Sequence, residues 1–331
     1  MKILYTCDNN YVWLMGISVI SLFETNLEAK ELDVYLLGDR ISLESKMLLD
    51  SIAKKYSRRI IIRDTESIEI PESLCDRRWP KSAYTRLFSG QLLPDFVDRI
   101  LYLDCDTIVN DTLENVYNQN MNGNTICAVQ DCVSRRYKTN IGCTVKQPYF
   151  NAGVLLLDIN KLRTIDISKK ISTFIKKYQS LIYYADQDVL NGVFSGVIGT
   201  LPADINVMTI LFYYSYDELK KLRKPDVYYD KEDIEKAVFR PRIIHFTTCM
   251  KILRPWYENA NHPFTEVFLR YKDMSPWKDT KLATFKFNKR KEKLFSFINM
   301  LPRKFSIRIL GMLHTFVVPF KQKVCSNCKG E

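Results

Sequence analysis

The feature that most constrains this chain is the alternation of two hydrophobic periods along its first hundred residues. Four short apolar runs have the length and composition of strands: Lys2–Thr6, Leu32–Leu37, Arg59–Arg63 and Arg99–Leu103. Helical spacing separates them in Tyr11–Glu24, in a segment from the N-cap candidate Ser42 through Tyr56, and in Ala83–Leu93 before Pro94. Such strand–helix alternation predicts an α/β fold, in which helices flank a mostly parallel central sheet.

The positive charge of the chain is concentrated at its C-terminal end. The 331 residues have a formal net charge of +11, but residues 278–331 alone carry 13 Lys or Arg against three acids. Residues 1–277 carry 36 basic and 35 acidic residues and are nearly neutral. We therefore predict a globular domain over 1–277 and a basic, aromatic C-terminal tail over 278–331. Because the body lacks the surplus charge, we expect no nucleic-acid partner for it.

Ligands of an open α/β sheet bind beyond the carboxyl ends of its strands. This rule selects two segments, the turn Thr6–Tyr11 after the first strand and Asp104–Thr107 after the fourth. The chain has 11 glycines and no G-x-G-x-x-G or P-loop pattern, which argues against a Rossmann dehydrogenase or a P-loop NTPase. A nucleotide bound at this edge would need another group to bind its phosphates, and a metal ion held by carboxylates is the obvious candidate.

Asp104, Cys105 and Asp106 directly follow the fourth strand. In extended chain, residues i and i+2 share a face, so the two carboxylates repel unless a cation lies between them. Mg²⁺ and Mn²⁺ prefer such oxygen ligands and keep positions open for phosphate oxygens. Two other interpretations stay open: the acids could cap a following helix, or Asp104 could be the nucleophile of a haloacid-dehalogenase-type phosphatase, whose D-x-D-x-T motif is partly matched here.

Six motifs in chain order resemble glycosyltransferase family 8, which includes bacterial lipooligosaccharide galactosyltransferases and glycogenin. They are Asp8–Tyr11, Tyr84–Leu87, Arg99–Asp106, Tyr149–Val154, Asp186–Asn191 and Ile243–Phe246. The resemblance covers residues 1–277. It implies a GT-A fold with a Rossmann-like, mostly parallel central sheet. It also implies metal-dependent, retaining transfer of a hexose from UDP-glucose or UDP-galactose.

The resemblance implies roles for the charged residues. Asp104, Asp106 and His245 would ligate Mn²⁺ or Mg²⁺. A cation should also meet the diphosphate, and Lys251 and Arg254 are the two candidates. Lys251 keeps the family spacing from the histidine, whereas Arg254 keeps the position before Pro-Trp; the loop is about three residues longer than the family pattern. We favour Lys251.

The resemblance also implies a donor pocket. Gln187 or Asp186 would be the catalytic group of a double displacement; the alternative, which we favour, is front-face transfer, in which the leaving phosphate oxygen takes the acceptor proton. The other donor-site residues are expected to hold the nucleoside, the phosphates or the sugar: Thr6, Asp8, Asn10, Tyr11, Arg86, Cys105, Asn151 and Ala152. For Asp8 and Asn10, capping of the next helix is an equally simple role.

The acceptor is expected to be a glycan, a lipid-linked molecule or a glycoprotein. In the tail, Ile307–Phe320 is apolar but too short to span a bilayer, and it suits an anionic membrane surface better. The N-terminus has no signal-peptide pattern and most cysteines lie in apolar runs, so we expect a cytoplasmic protein at the inner face of the cell membrane. A non-catalytic protein that binds nucleic acid or membrane through the tail is the remaining alternative.

Overall fold

The computed structural model describes residues 1–65, 84–249, 252–285 and 300–327. The strands are β1 Lys2–Asp8, β2 Asp33–Asp39, β3 Arg59–Asp64, β4 Arg99–Leu103, β5 Thr107–Val109, β6 Ile126–Gln130, β7 Phe150–Asp158, β8 Ile198–Thr200, β9 Val207–Met208 and β10 Ile243–His245. The α-helices are α1 Val12–Thr25, α2 Leu43–Lys55, α3 Ser89–Leu92, α4 Glu114–Tyr117, α5 Arg135–Asn140, α6 Ile159–Arg163, α7 Ile167–Tyr178, α8 Asp186–Val193, α9 Thr209–Tyr213, α10 Tyr216–Arg223, α11 Lys231–Phe239, α12 Thr265–Asp273, α13 Arg303–Met312 and α14 Val318–Asn327.

Seven strands form the central sheet in the order β3-β2-β1-β4-β7-β6-β8. All neighbouring pairs are parallel except β4–β7 and β6–β7, because β7 runs against the other strands. The carboxyl ends of β1, β4 and β6 therefore meet the beginning of β7 at one edge. The predicted mostly parallel α/β sheet is confirmed.

The four predicted strands are confirmed, and so is the start of α2, where the Ser42 side chain accepts a hydrogen bond from the Ser45 amide. The predicted helix over 83–93 is different in detail. Arg86–Phe88 forms a 3₁₀ turn before α3, and Leu93 is extended. Pro94 explains the extended Leu93, because its ring disfavours helical geometry in the residue before it.

Both faces of the central sheet are covered, because successive strand residues point to opposite sides. In β1, Ile3 and Tyr5 belong to the core cluster that packs against α1, whereas Leu4 belongs to the cluster on the other face. The interior of α1 is almost entirely buried. The sheet edge, held from both sides, is consequently a rigid support for the polar residues that follow its strands.

A second, three-stranded sheet has the order β5-β10-β9. Its middle strand, β10, runs antiparallel to β5 and parallel to β9, and it pairs His245 with Thr107 on one side and with Met208 on the other. Since β5 begins directly after the Asp104–Asp106 segment, this pairing delivers His245 to the two aspartates. The small sheet thus brings His245 to the edge of the central sheet.

Residues 303–327 of the C-terminal tail are helical and pack on the body. Arg303 of α13 donates two hydrogen bonds to Glu218 of α10, and Gly311 lies so close that an added Cβ would be 2.9 Å from the Lys221 carbonyl oxygen. In α14, Gln322 donates to the Leu181 carbonyl at 2.8 Å. The division at 277/278 stays a prediction. Across the described ranges, no helix has both the length and the apolar character to cross a membrane.

Candidate active site

Two carboxylates and one imidazole converge at the carboxyl end of β4. Ligand atoms of Asp104, Asp106 and His245 all lie within 4.8 Å of one another. The Nε2 atom of His245 is 3.1 Å from Oδ1 of Asp106 and 3.6 Å from Oδ2 of Asp104. Two oxygens and one nitrogen are a suitable donor set for Mn²⁺ or Mg²⁺, and three protein ligands leave positions for phosphate oxygens. The structure thus brings the predicted ligands together.

The two oxygens of Asp104 have different surroundings. Oδ1 accepts from the Tyr102 hydroxyl and lies 2.8 Å from Nη1 of Arg86. The buried Arg86 guanidinium also stacks on the Tyr102 ring, and its Nη1 donates to the Ala152 carbonyl. Oδ2 faces His245 instead. One oxygen is therefore neutralised by the protein, while the other is directed to the metal position.

Asp106 and His245 each stabilise the charged form of the other. Burial acts to raise the pKa of Asp106, but the attraction and hydrogen bond of His245 outweigh it and leave the pKa below its usual value. Burial acts to lower the pKa of His245, and here the Asp106 and Asp104 carboxylates outweigh it and raise the pKa. Such mutual dependence is typical of a site arranged for a cation.

Gly153 of β7 lies against this cluster. An added Cβ would be 2.2 Å from Cε1 of His245 and 2.9 Å from Oδ2 of Asp104. The Gly153 carbonyl accepts from the Asp104 amide at 2.8 Å. Only a residue without a side chain fits between the two ligands, which explains the glycine of the Tyr149–Val154 motif.

A chain of buried amides extends from His245 towards α8. Asn206 lies 2.8 Å from Nδ1 of His245 and donates to Asn151 at 2.8 Å. Asn151 donates in turn to Oε1 of Gln187 at 2.8 Å, and Gln187 donates to Asp131 at 3.0 Å. The predicted pocket residues Asn151 and Gln187 are therefore in contact, and the Ala152 amide, 3.4 Å from Oε1 of Gln187, belongs to the same group.

Asp186 lies at the start of α8, where the backbone is strained. The preceding Ala185 has φ 48°, a conformation that a residue with a Cβ seldom adopts outside functional sites. Oδ2 of Asp186 is 3.5 Å from Nε of Arg86 and has no hydrogen-bond partner among the described residues. Burial raises the pKa of Asp186 to about 6, although Arg86 opposes this effect. Oδ2 of Asp186 is therefore a buried acceptor held by its ion pair with Arg86.

The remainder of the Asp186–Asn191 motif is structural. Asp188 accepts from the Tyr149 hydroxyl and from the Tyr183 and Tyr184 amides. Asn191 exchanges two hydrogen bonds of 2.8 Å with the Phe150 backbone. These contacts fix α8 to β7 and so fix Gln187 beside Asn151.

The turn after β1 is open to solvent. The Asp8 side chain accepts from the Asn10 amide at 2.9 Å, and Tyr11 occupies the N-cap position of α1 without a side-chain cap bond. Capping of α1 by Asp8 or Asn10 is therefore absent from the structure. The Tyr11 ring is 47% exposed, which leaves it free to stack on a base. Beneath the turn, the Thr6 hydroxyl is 3.3 Å from the Tyr102 hydroxyl.

The Cys105 thiol lies under the same turn and is 3.6 Å from the Thr6 carbonyl oxygen, so this side chain packs inside the fold. Of the two predicted phosphate cations, Arg254 lies at the site: its charge acts on the pKa values of Asp106, His245 and Tyr11. Its Nη2 donates to Thr248. Lys251 lies outside the described residues.

Three residues of the site were missed from the sequence: Tyr102, Asp131 and Asn206. Tyr102 lies within the Arg99–Asp106 motif, but its sequence position indicates only an apolar strand residue. Asp131 follows β6, and the strand-end rule would have selected it if β6 had been assigned. Asn206 directly precedes the two-residue strand β9 and carries no sequence pattern of its own.

Comparisons with known proteins agree with this geometry. The chain is 27% identical over 282 residues to the lipopolysaccharide 1,2-glucosyltransferase of Escherichia coli K12, covering 84% of this chain and 79% of the relative. It is 27% identical over 283 residues to the lipopolysaccharide 1,3-galactosyltransferase of Salmonella typhimurium LT2, covering 83% and 79%. General stress protein A of Bacillus subtilis 168 is 23% identical over 280 residues, which are 84% of this chain and 94% of the relative.

Among solved structures, the galactosyltransferase LgtC in complex with donor and acceptor sugar analogues matches with a TM-score of 0.68 at 22% identity, over 88% of this chain and 100% of that one. This similarity supports the GT-A fold. The family model for glycosyl transferase family 8 matches residues 2–260. The match decides against the haloacid-dehalogenase-type phosphatase. The chain belongs to glycosyltransferase family 8.

Proposed function

We propose that this protein transfers glucose or galactose from UDP-glucose or UDP-galactose to a hydroxyl group of a glycan, lipid-linked or glycoprotein acceptor. The transfer retains the anomeric configuration and requires Mn²⁺ or Mg²⁺. The observation that carries the proposal is the convergence of Asp104, Asp106 and His245 beside the buried amides of Asn151 and Gln187. Relatives named as lipopolysaccharide glucosyl- and galactosyltransferases support a hexose donor.

Different residues of the chain bind different parts of the donor. A bound ion would neutralise the diphosphate and stabilise UDP as it leaves. Arg254 or Lys251 adds positive charge on the phosphate side. Tyr11 stacks on the uracil ring, while Asp8 and Asn10 offer hydrogen bonds to the uridine. Asp186, held by Arg86, faces the sugar hydroxyl groups.

The surroundings of Gln187 support front-face transfer. Its Oε1 accepts from the Asn151 side chain and from the Ala152 amide, so both lone pairs of this oxygen are engaged. An oxygen held in this way orients the pocket but is a poor nucleophile. For Gln187→Ala we expect a decrease in kcat of about tenfold or less, whereas a decrease of several thousandfold would favour an obligatory nucleophile.

The decisive experiment measures UDP release from a panel of UDP-sugars with Mn²⁺, with and without a chelator. We expect slow hydrolysis of UDP-glucose or UDP-galactose that the chelator abolishes. Asp106→Asn should abolish it as well, since it removes one ligand. Asp111→Asn, which changes a half-buried aspartate paired with Arg240, is the matched control and should retain the activity. Absence of both UDP binding and UDP release would contradict the proposal.

We also propose that the protein works in the cytoplasm, at the inner face of the cell membrane. The supporting observation is the surface formed by α13, α14 and the Leu313–Val317 segment between them, where Phe305, Phe316 and Phe320 are exposed near basic residues. Apolar rings and cations together favour an anionic lipid surface. A lipid-linked acceptor would then be within reach of the site.

A further inference from the structure

Asn206 links the metal cluster to the sugar pocket. It is completely buried, and its two amide atoms make one contact each. Oδ1 lies 2.8 Å from Nδ1 of His245, and Nδ2 lies 2.8 Å from Oδ1 of Asn151. The imidazole is therefore held from behind by Asn206, while its Nε2 faces Asp104 and Asp106.

Two backbone amides determine which side-chain atoms of Asn206, Asn151 and Gln187 donate and which accept hydrogen bonds. The Gly153 N–H can only donate, so the Asn151 atom 2.9 Å away must be the oxygen. Likewise, the Ala152 N–H identifies the near atom of Gln187 as Oε1. Because Asn151 presents its oxygen, Asn206 must turn its NH₂ group towards it. The Asn206 oxygen then faces His245, whose Nδ1 must carry the proton.

We propose that Asn206 is a positioning residue with two tasks. It holds His245 in the Nδ1–H tautomer, which leaves the Nε2 lone pair directed at the metal position between the carboxylates. Its NH₂ group also fixes Asn151 and, through Asn151, Gln187. The inference rests on the proposed metal-dependent function, and it assigns to one amide the alignment of metal site and donor pocket.

Two substitutions separate these tasks. Asn206→Leu keeps the branched shape of the side chain and removes both hydrogen bonds, so we expect Mn²⁺ affinity to decrease by about 10- to 100-fold. Asn206→Asp keeps an oxygen for Nδ1–H but cannot donate to Asn151. It should bind Mn²⁺ at least as tightly as the wild type and lower kcat for UDP release several-fold.

Mn²⁺ binding is measured on the full chain without nucleotide, from the loss of the six-line EPR signal of the free ion. Asn26→Leu is the matched control, because Asn26 is also buried and also uses both ends of its side-chain amide, but its partners are the Leu22 carbonyl and the Leu113 amide, away from the site. It should lower the melting temperature and leave Mn²⁺ affinity unchanged. If Asn206→Leu fails to fold, the Asn206→Asp variant tests the inference alone.

Wild-type affinity in Asn206→Leu would overturn the inference, and so would an equal decrease in Asn206→Leu and Asn26→Leu. A large loss of Mn²⁺ affinity in Asn206→Asp would overturn the tautomer assignment. These outcomes do not depend on UDP-sugar activity. Absence of Mn²⁺ binding by the wild type would remove the metal site of the proposed function, and the inference with it.

Discussion

Gly153 shows how little room surrounds the imidazole of the candidate metal site. The positions that a Cβ would occupy are already taken by His245 and Asp104. At the scale of single residues, the site thus depends as much on a missing side chain as on the three ligands. Arg86 has a comparable weight, since its one guanidinium contacts Asp104 and Asp186, which belong to different elements.

Gly153→Ala should weaken Mn²⁺ binding by at least tenfold, because the new methyl group must displace His245 or Asp104. The measurement is an EPR titration of Mn²⁺. The control is Gly123→Ala: this glycine has φ 79° with open space around it, so the change should cost about 1 kcal/mol of stability and leave Mn²⁺ affinity unchanged. Equal affinities for wild type and Gly153→Ala would contradict the geometry.

Burial raises the pKa of Asp186 to about 6, and this shift predicts how the stability of the fold changes with pH. Between pH 4 and pH 6 the unfolded chain loses this proton while the folded chain keeps it, so rising pH destabilises the fold. Asp186→Asn removes this dependence. Relative to the wild type, its free energy of unfolding should increase by an amount on the order of 2 kcal/mol from pH 4 to pH 7.

Urea denaturation at the two pH values measures the difference. The Asp111→Asn variant is the control, and the difference between its free energy of unfolding and that of the wild type should change by less than about 0.5 kcal/mol over the same range. An Asp186→Asn variant that loses stability relative to the wild type as pH rises would contradict the buried-acid interpretation.

At the scale of elements, strands and motifs that are contiguous in sequence could be predicted, whereas contacts between residues far apart in sequence could not. The strands β1 to β4 and the Asp104–Asp106 motif were predicted because each is contiguous in sequence and its spacing carries the signal. His245 was assigned through family resemblance. Asn206 was missed because its role exists only through partners 39 and 55 residues away, and an amide before a short strand has no distinctive pattern.

Glu218 of α10 connects this helix to α13. Its carboxylate completes the capping box with Ser215 and accepts a fork of hydrogen bonds from Arg303. Glu218→Gln can keep the cap but loses the ion pair, so hydrogen exchange in α13 should become several-fold faster. Glu235→Gln, which removes a surface pair with Lys231, should not change it. Unchanged exchange in both variants would show that Glu218 does not hold α13.

At the scale of the whole molecule, the C-terminal helices expose aromatic rings in a basic segment. Phe305 and Phe320 are 57% and 60% exposed. Each Phe→Ser change should weaken binding to anionic vesicles by about tenfold, because the transfer of one such ring from water is worth roughly 1.5–3 kcal/mol. A vesicle sedimentation assay measures it. Phe239→Ser, at a 91% exposed ring on α11, is the control. Equal effects at all three positions would argue against a specific membrane-facing surface.

The ligands of the candidate metal site come from two different sheets. Asp106 and His245 are 139 residues apart in sequence, and they approach because β10 joins the small sheet beside the end of β4. An ion bound by Asp104, which follows β4 of the central sheet, and by His245 of the small sheet would act as a removable cross-link between the sheets. Ligand that binds only the folded chain stabilises it by about 2.7 kcal/mol at 100 times its Kd. The melting temperature should accordingly rise with Mn²⁺ concentration in the wild type and stay constant in Asp106→Asn, so that heat resistance itself reports whether an ion occupies the candidate site.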